Sequence, residues 1–325
     1  MSAYFARRFL SMIPLFLGIT FISFIVIHLA PASAVDARSA FNPKMTAQAK
    51  EKLREIYGLD RPLWEQYTGW VARLAVLDFG NSFVDGEKVT AKIAEALPVT
   101  VALNGISLFL IFLFGVPLGV AGAVRPGSLE DKAGTFFALA AFSLPSYWFA
   151  LLLMNLFGVH WRLFPVSGLH SVLADTLPSW QRFADVAWHA ALPLLAASLP
   201  GIGGISRYMR SAMAETLRQD YVRAARARGL SEKKVIYGHA LKNALLPVIT
   251  LLGLSLPALL GGSVLFETIF SIPGMGRLFY NAVFARDYPV IMGILVLGAV
   301  LTLLGNLLAD AAYGMADPRA REALK

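Results

Sequence analysis

Hydrophobic positions gather along this chain into six long runs, residues 9–30, 98–123, 134–158, 187–205, 244–266 and 288–309, none of which contains Lys, Arg, Asp or Glu. Each run holds 19 to 26 residues. At about 1.5 Å of rise per helical residue, a hydrocarbon core of about 30 Å takes about 20 residues, so every run is long enough to cross one. A buried helix of a soluble domain imitates one such run, not six. The pattern predicts an all-α membrane protein with six transmembrane helices. Arg7 and Arg8 give the first run the basic flank of a signal peptide. Its apolar part is too long for the usual h-region, however, and Leu29-Ala30-Pro31 is a poor cleavage site, so it is read as a retained helix.

The segments between the runs carry their own patterns. In 31–97, Thr46 is placed to cap a helix through AQAKEKLREIY, and Gly58 falls where a left-handed C-terminal residue belongs. A second helix starts at Pro62, and its Leu63, Tyr67, Trp70, Val71 and Leu74 share one face. With Trp64 nearby, that face either lies on the outer leaflet at headgroup level or packs against the protein's own spans. Helix breakers punctuate the runs: Pro117 with Gly119, Pro145, Pro193 with Pro200, Pro247 with Pro257, and Gly261-Gly262. Proline frees a carbonyl that a neighbouring helix or a cavity must satisfy. The run Leu199-Pro-Gly-Ile-Gly-Gly204 suggests a loosened helix, although small residues also simply permit close packing. Before the last run, Phe266, Ile269, Phe270 and Ile272 are too apolar for a free loop, and Pro273-Gly274 with Gly276 marks a turn. A short dipping helix followed by a turn is expected there.

Charge orients these elements. The formal net charge is +8. Residues 1–8 supply +2 and 206–243 supply +6, from nine Lys/Arg against Glu215, Asp220 and Glu232; every other connection is balanced. Cytoplasmic flanks are enriched in Lys and Arg, which predicts cytoplasmic N- and C-termini and a cytoplasmic 206–243. The segments 31–97, 159–186 and 267–287 are then external, and 124–133 internal.

Several kinds of chemistry have no residues to support them. There is no cysteine, hence no disulfide, thiolate site or Cys nucleophile. No Gly-Lys pair, H-E-x-x-H or G-x-S-x-G occurs. The five histidines are scattered, and His28 and His189 are read as interfacial residues rather than ligands. Inside the runs the polar groups are mild, Asn104, Ser143 and Asn306 among them, and ionisable groups that would mark a proton relay are missing. Asn104, Ser143 and Asn306 are read either as lining a path or as interhelical hydrogen-bonding groups. The pattern points to neither an enzyme nor a proton-driven pump.

The most charged stretch, 220–247, reads DYVRAARARGLSEKKVIYGHALKNALLP. Residues 208–228 suit one helix, with Met213, Leu217, Tyr221, Ala224 and Ala225 on a common face. Gly229 ends it, and Ser231 caps a second short helix with Glu232 at its positive end. One reading is charge that only fixes orientation; another, nucleic-acid binding, lacks a second basic face. The third is docking of a soluble partner. Ala224, Ala225 and Gly229 remove side-chain bulk while Arg and Lys flank them, a gap that orientation alone does not need.

That stretch resembles the EAA loop of ABC importer permeases, in the form found in the oligopeptide, dipeptide and nickel permease family. Arg223 at the motif's acidic position and the late Leu246-Pro247 depart from the general pattern and match the peptide branch. YGLDRPLWEQYTGWVARLAVLDFGNSF and FETIFSIPGMGRLFYNAVFARDYPVIMG are similar to the same family, and the long insertion after the first run resembles the B-type, first of two paired permeases. The resemblance implies the type I ABC importer permease fold. Residues 1–97 would hold the N-terminal helix and external segment, 98–316 a five-helix core with the coupling loop 206–243, and 317–325 a cytoplasmic tail. It implies a multi-pass subunit of the bacterial cytoplasmic (inner) membrane. Its partners would be a second homologous permease, two cytoplasmic ABC ATPases and an extracytoplasmic solute-binding protein, with membrane lipid around it and no nucleic acid. No cofactor would sit on this chain; ATP and Mg would be held by the ATPases. By the same resemblance Tyr221, Ala224, Ala225, Gly229, Leu230 and Ser231 would contact the ATPase. Glu267, Pro273, Gly274 and Gly276 would shape an outer gate or the binding-protein contact. The expected function is import of di- or oligopeptides. Nickel or another solute, a non-transporting scaffold or receptor that recruits a cytoplasmic partner, and, last, a membrane enzyme are the alternatives.

Overall fold

Thr46 does cap its helix, accepting a hydrogen bond from the Ala49 N–H at 3.2 Å, and Gly58 follows the helix end at φ +65°. The structure is a computed structural model that describes residues 2–29, 35, 46–255, 259 and 263–316. The breakers Pro257 and Gly261-Gly262, the tail 317–325 and most of 30–45 lie outside the described residues. Helices dominate: α1 Ser2–Leu29, α2 Ala47–Ile56, α3 Leu63–Leu74, α4 Val89–Val124, α5 Leu129–Ser143, α6 Ser146–Leu153, α7 Ser179–Thr216 and α8 Asp220–Ala227. After α8 come a π-helical segment Lys234–Ala240, α9 Leu241–Ala244, α10 Leu246–Ser255, α11 Val264–Ile269, α12 Met275–Ala285 and α13 Tyr288–Ala316. Among the described residues there is no strand beyond an isolated bridge between Asn81 and Lys88.

Four of these helices are long and apolar enough to cross a membrane, within α1, α4, α7 and α13. Two bent pairs raise the number to six if each counts as one span. Leu129–Ala141 turns by 103° into Ser146–His160 next to Pro145, and Lys234–Ala244 turns by 42° into Leu246–Gly253 next to Pro247. At the first bend Pro145 removes a donor and disfavours helix in Leu144, which is extended (ψ 136°); at the second Pro247 lies in the first turn of α10. Pro193 and Pro200, by contrast, are absorbed without a break in the 38-residue α7. The loosening expected at 199–204 is therefore absent, and two of the glycines there, Gly201 and Gly203, sit at close contacts. A Cβ on Gly201 would lie 2.5 Å from Ile111 Cδ1, and one on Gly203 would lie 2.9 Å from Ala138 Cα.

The chain divides into two units. One comprises the described parts of 1–100, 260–264 and 273–325. In it the apolar face of α3 packs on the protein's own helices rather than standing free. Trp70 is buried with Phe24, Met292 and Val296, and the Tyr67 hydroxyl reaches the Leu17 carbonyl and the Thr20 hydroxyl, each at 3.2 Å. Buried Asp287 accepts hydrogen bonds from the Ser82 hydroxyl and, at 2.9 Å, the Phe83 N–H, which pins the 79–88 turn. The second unit comprises 101–259 and 265–272. There α4, α5 and α7 approach closely through glycine and alanine, and the Asn104 amide donates to the Leu259 carbonyl at 3.0 Å.

Candidate functional site

The basic stretch folds as a helical hairpin on the end of α7, within the second unit. The single helix expected over 208–228 is two. α7 stops at Thr216, whose hydroxyl donates to the Ala212 carbonyl at 2.8 Å, and Gln219 turns extended (ψ 148°) before α8. Asp220 then opens α8 with a negative charge on its positive end. This break resets the helical register, so the expected common face divides. Met213 is buried and Leu217 partly so, but in α8 it is Val222 and Ala225 that point inward, while Tyr221 and Ala224 are exposed.

Val222 and Ala225 join Val120, Ala123, Met209, Met213, Val235, Ile236, Ala240, Ala244 and Val248 in one apolar cluster. The hairpin is thus an extension of the core and not a loose tether. Two polar clasps close it. Arg226 and Glu232 pair fork to fork across the turn, Nη2 to Oε1 at 2.6 Å and Nε to Oε2 at 3.2 Å. The Asn243 amide donates to the Tyr221 hydroxyl at 2.7 Å. The paired Arg226 holds the Glu232 carboxyl below the usual glutamate range. Between the clasps Gly229 sits at φ +77°, in the left-handed region that glycine enters without a Cβ penalty, and leaves open space around its Cα. The Ser231 carbonyl receives the N–H groups of Lys234 and Val235 as the next helix begins.

What remains on the outside is a low ridge. Ala224, Ala227, Gly229 and Ser231 are exposed, with Arg223 and Arg228 beside them and Leu230 half-buried. An open cleft of about 420 Å³ lies next to it, lined by Ser211, Ala214, Glu215, Arg218, Gln219 and Asp220. Of the six residues singled out from sequence, five reach this surface at least partly; Ala225 lies beneath it at zero exposure. Sequence reasoning missed the clasps. The Arg226–Glu232 spacing across a glycine turn was a usable signal, whereas the Tyr221–Asn243 bond spans 22 positions and had none.

The other predicted residues fall elsewhere. Glu267 is buried in α11, in the second unit; its carbonyl accepts the Ile272 N–H at 2.8 Å. Pro273, Gly274 and Gly276 belong to the first unit; the first two lead into α12, an 11-residue helix that the turn signals did not anticipate, and Gly276 is in its first turn. Gly276 is there for proximity: a Cβ would lie 2.6 Å from the Val264 nitrogen. Ser143 bonds its own helix at the Leu139 carbonyl (2.7 Å), and Asn306 is exposed on α13. Among the described residues no three His, Asp or Glu side chains gather as a metal would need.

Comparison with known proteins gives this geometry a context. The family described as "Binding-protein-dependent transport system inner membrane component" matches residues 115–322, and the corresponding N-terminal family matches 1–104. The chain is 40% identical to the oligopeptide transport system permease protein AppB of Bacillus subtilis, over 98% of this chain and 99% of that one. It is 39% identical to the di/tripeptide transport system permease protein DppB of Pseudomonas aeruginosa, and 36% identical to the dipeptide transport system permease protein DppB of Escherichia coli K12, each over 99% of both chains. A solved structure, an inward-facing conformation of the MetNI methionine ABC transporter, is similar with a TM-score of 0.54 at 20% identity, over 70% of this chain and 97% of that one. That likeness concerns the fold.

Proposed function

The chain belongs to the family of binding-protein-dependent transport system inner membrane components, and from that premise we propose that it is the permease subunit of an ATP-driven peptide importer. It crosses the membrane six times with both termini in the cytoplasm, in the bacterial inner membrane. Residues 1–97 carry the first helix and the external segment, 98–316 the permease core, and 317–325 the tail. A second permease completes the path, an external binding protein delivers solute, and two ATPases hold the ATP and Mg that this chain does not bind. The peptide substrate is supported by three relatives at 36–40% identity whose names state oligopeptide, di/tripeptide and dipeptide transport.

One observation carries the coupling role: a hairpin rigidly seated on buried core presents a ridge stripped of side-chain bulk around Ala224 and Gly229. A soluble ATPase gains purchase there because backbone can approach backbone, and force on the hairpin reaches α7 through the packed cluster. Glu267, Pro273, Gly274 and Gly276 shape an outer gate or the binding-protein contact, and Asn104, Ser143 and Asn306 lie along or brace the path. The test is Gly229→Asp, introduced with the partner subunits co-expressed. The variant should insert normally yet retain little ATPase and import no labelled peptide. Normal ATPase retention and uptake would refute the docking surface.

A further inference from the structure

The first turn of α5, where it leaves the connection from α4, carries a carboxylate whose bonding is far from ordinary surface pairing. Asp131 is 6% exposed. Arg210, on α7, grips it with both Nε and Nη2, the latter at 2.9 Å from Oδ2. The same Oδ2 accepts the Gly127 N–H at 2.9 Å, and the Ser128 hydroxyl caps the Asp131 N–H at 3.2 Å. Gly127 itself sits at φ +80°, so the turn is shaped to aim its N–H inward. A shielded, fork-bound carboxylate fixes direction as well as distance, which a point-charge pair does not.

Beside it, nothing compressible separates α4 from α7. A Cβ on Gly115 would lie 2.9 Å from Ile205 Cγ2 and one on Gly119 2.5 Å from the Ser206 carbonyl oxygen; one on Gly122 would lie 3.0 Å from Asp131 Oδ1, on α5, and 3.4 Å from Arg210 Cδ, on α7. These contacts and the ion pair occupy the last turns of α7 before the hairpin, the same stretch whose Met209 and Met213 underlie α8. Packed interfaces of this kind shift between discrete arrangements and do not deform smoothly.

We propose that Asp131 and Arg210 are positioning residues of the coupling apparatus: they lock the α4–α5 turn to the end of α7, so that displacement of the docked hairpin moves α4 and α5 with it. The proposal rests on the reading of the hairpin as the ATPase contact. Neither residue touches the ridge, so loss of the pair should leave docking intact and remove only its transmission.

The absence of native cysteine allows one probe to report this. Leu129, exposed at the start of α5, is replaced by Cys and spin-labelled in the complete permease–ATPase assembly, with and without ATP and vanadate. In the otherwise unchanged assembly the label's spectrum should change when nucleotide is trapped. Asp131→Asn and the milder Arg210→Lys should keep ATPase retention within about twofold while reducing both that spectral change and binding-protein-stimulated ATP hydrolysis by about fivefold or more. The double swap Asp131→Arg with Arg210→Asp should recover part of each. A full nucleotide-linked change in Arg210→Lys and Asp131→Asn would overturn the lock while leaving docking standing. An assembly with the native pair that retains no ATPase would overturn the docking reading itself.

Discussion

Gly119→Ala tests the closeness of α4 and α7 most directly. The added Cβ would lie 2.5 Å from the Ser206 carbonyl oxygen, 2.6 Å from Met209 Cβ and 2.9 Å from the Arg210 nitrogen. Two of these are backbone atoms and the third is fixed to one, so no rotamer change relieves the overlap. Ordinary contacts of this kind are about 3.5–4.0 Å, which means the helices must part locally by about 1 Å. A gap of that size forfeits about a quarter to a half of each affected contact, and overpacking of this type costs about 1–3 kcal/mol. Alanine also gains up to about 1 kcal/mol of helix propensity over glycine, which would mask part of the loss. Gly105→Ala on the same helix removes that ambiguity, because its Cβ meets nothing within 4 Å and it receives the same propensity gain. The difference between the two variants is therefore packing alone. Thermal unfolding of the purified chain in detergent should place Gly119→Ala below Gly105→Ala by several degrees, at about 2–4 °C per kcal/mol. Equal melting temperatures would refute the close approach. In lipid bilayers small residues at helix contacts serve the same end, so the ranking should hold in nanodiscs.

Two further predictions concern the clasps. Tyr221→Phe removes the bond from Asn243 while keeping the ring, and should loosen the hairpin by about 0.5–1.5 kcal/mol, seen as faster amide exchange in α8; unchanged exchange would show that the bond contributes nothing. Glu232→Gln should also speed exchange around Gly229 at neutral pH. Because Arg226 depresses the Glu232 pKa, the clasp's contribution is fully present above the usual glutamate range and is lost only as pH falls through the depressed value. The gap between variant and parent should then close in strong acid, and a gap that persists there would assign the effect to something other than the charge.

Much of the membrane architecture is legible in the chain because the bilayer imposes a one-dimensional rule: apolar length. The runs inside α1, α4, α7 and α13 could be read off directly, as could the Thr46 cap and the left-handed Gly58 and Gly229, since caps and turns depend on residues a few positions apart. The small-residue signature of the hairpin was equally local. Tertiary structure decided what local rules leave open. A proline breaks a helix only where the freed carbonyl and the neighbours permit it, so Pro145 and Pro247 lie at bends while Pro193 and Pro200 do not. The 217–219 break, set by how α8 must fold back on Met209 and Met213, turned Ala225 from surface to core. The partnership of Asp131 with Arg210 spans 79 positions, beside glycines at which α4 comes close to α5 and α7. Sequence determined where the chain is greasy, charged and small; long-range packing determined which of the small residues stay exposed on the ridge and which pack beneath it.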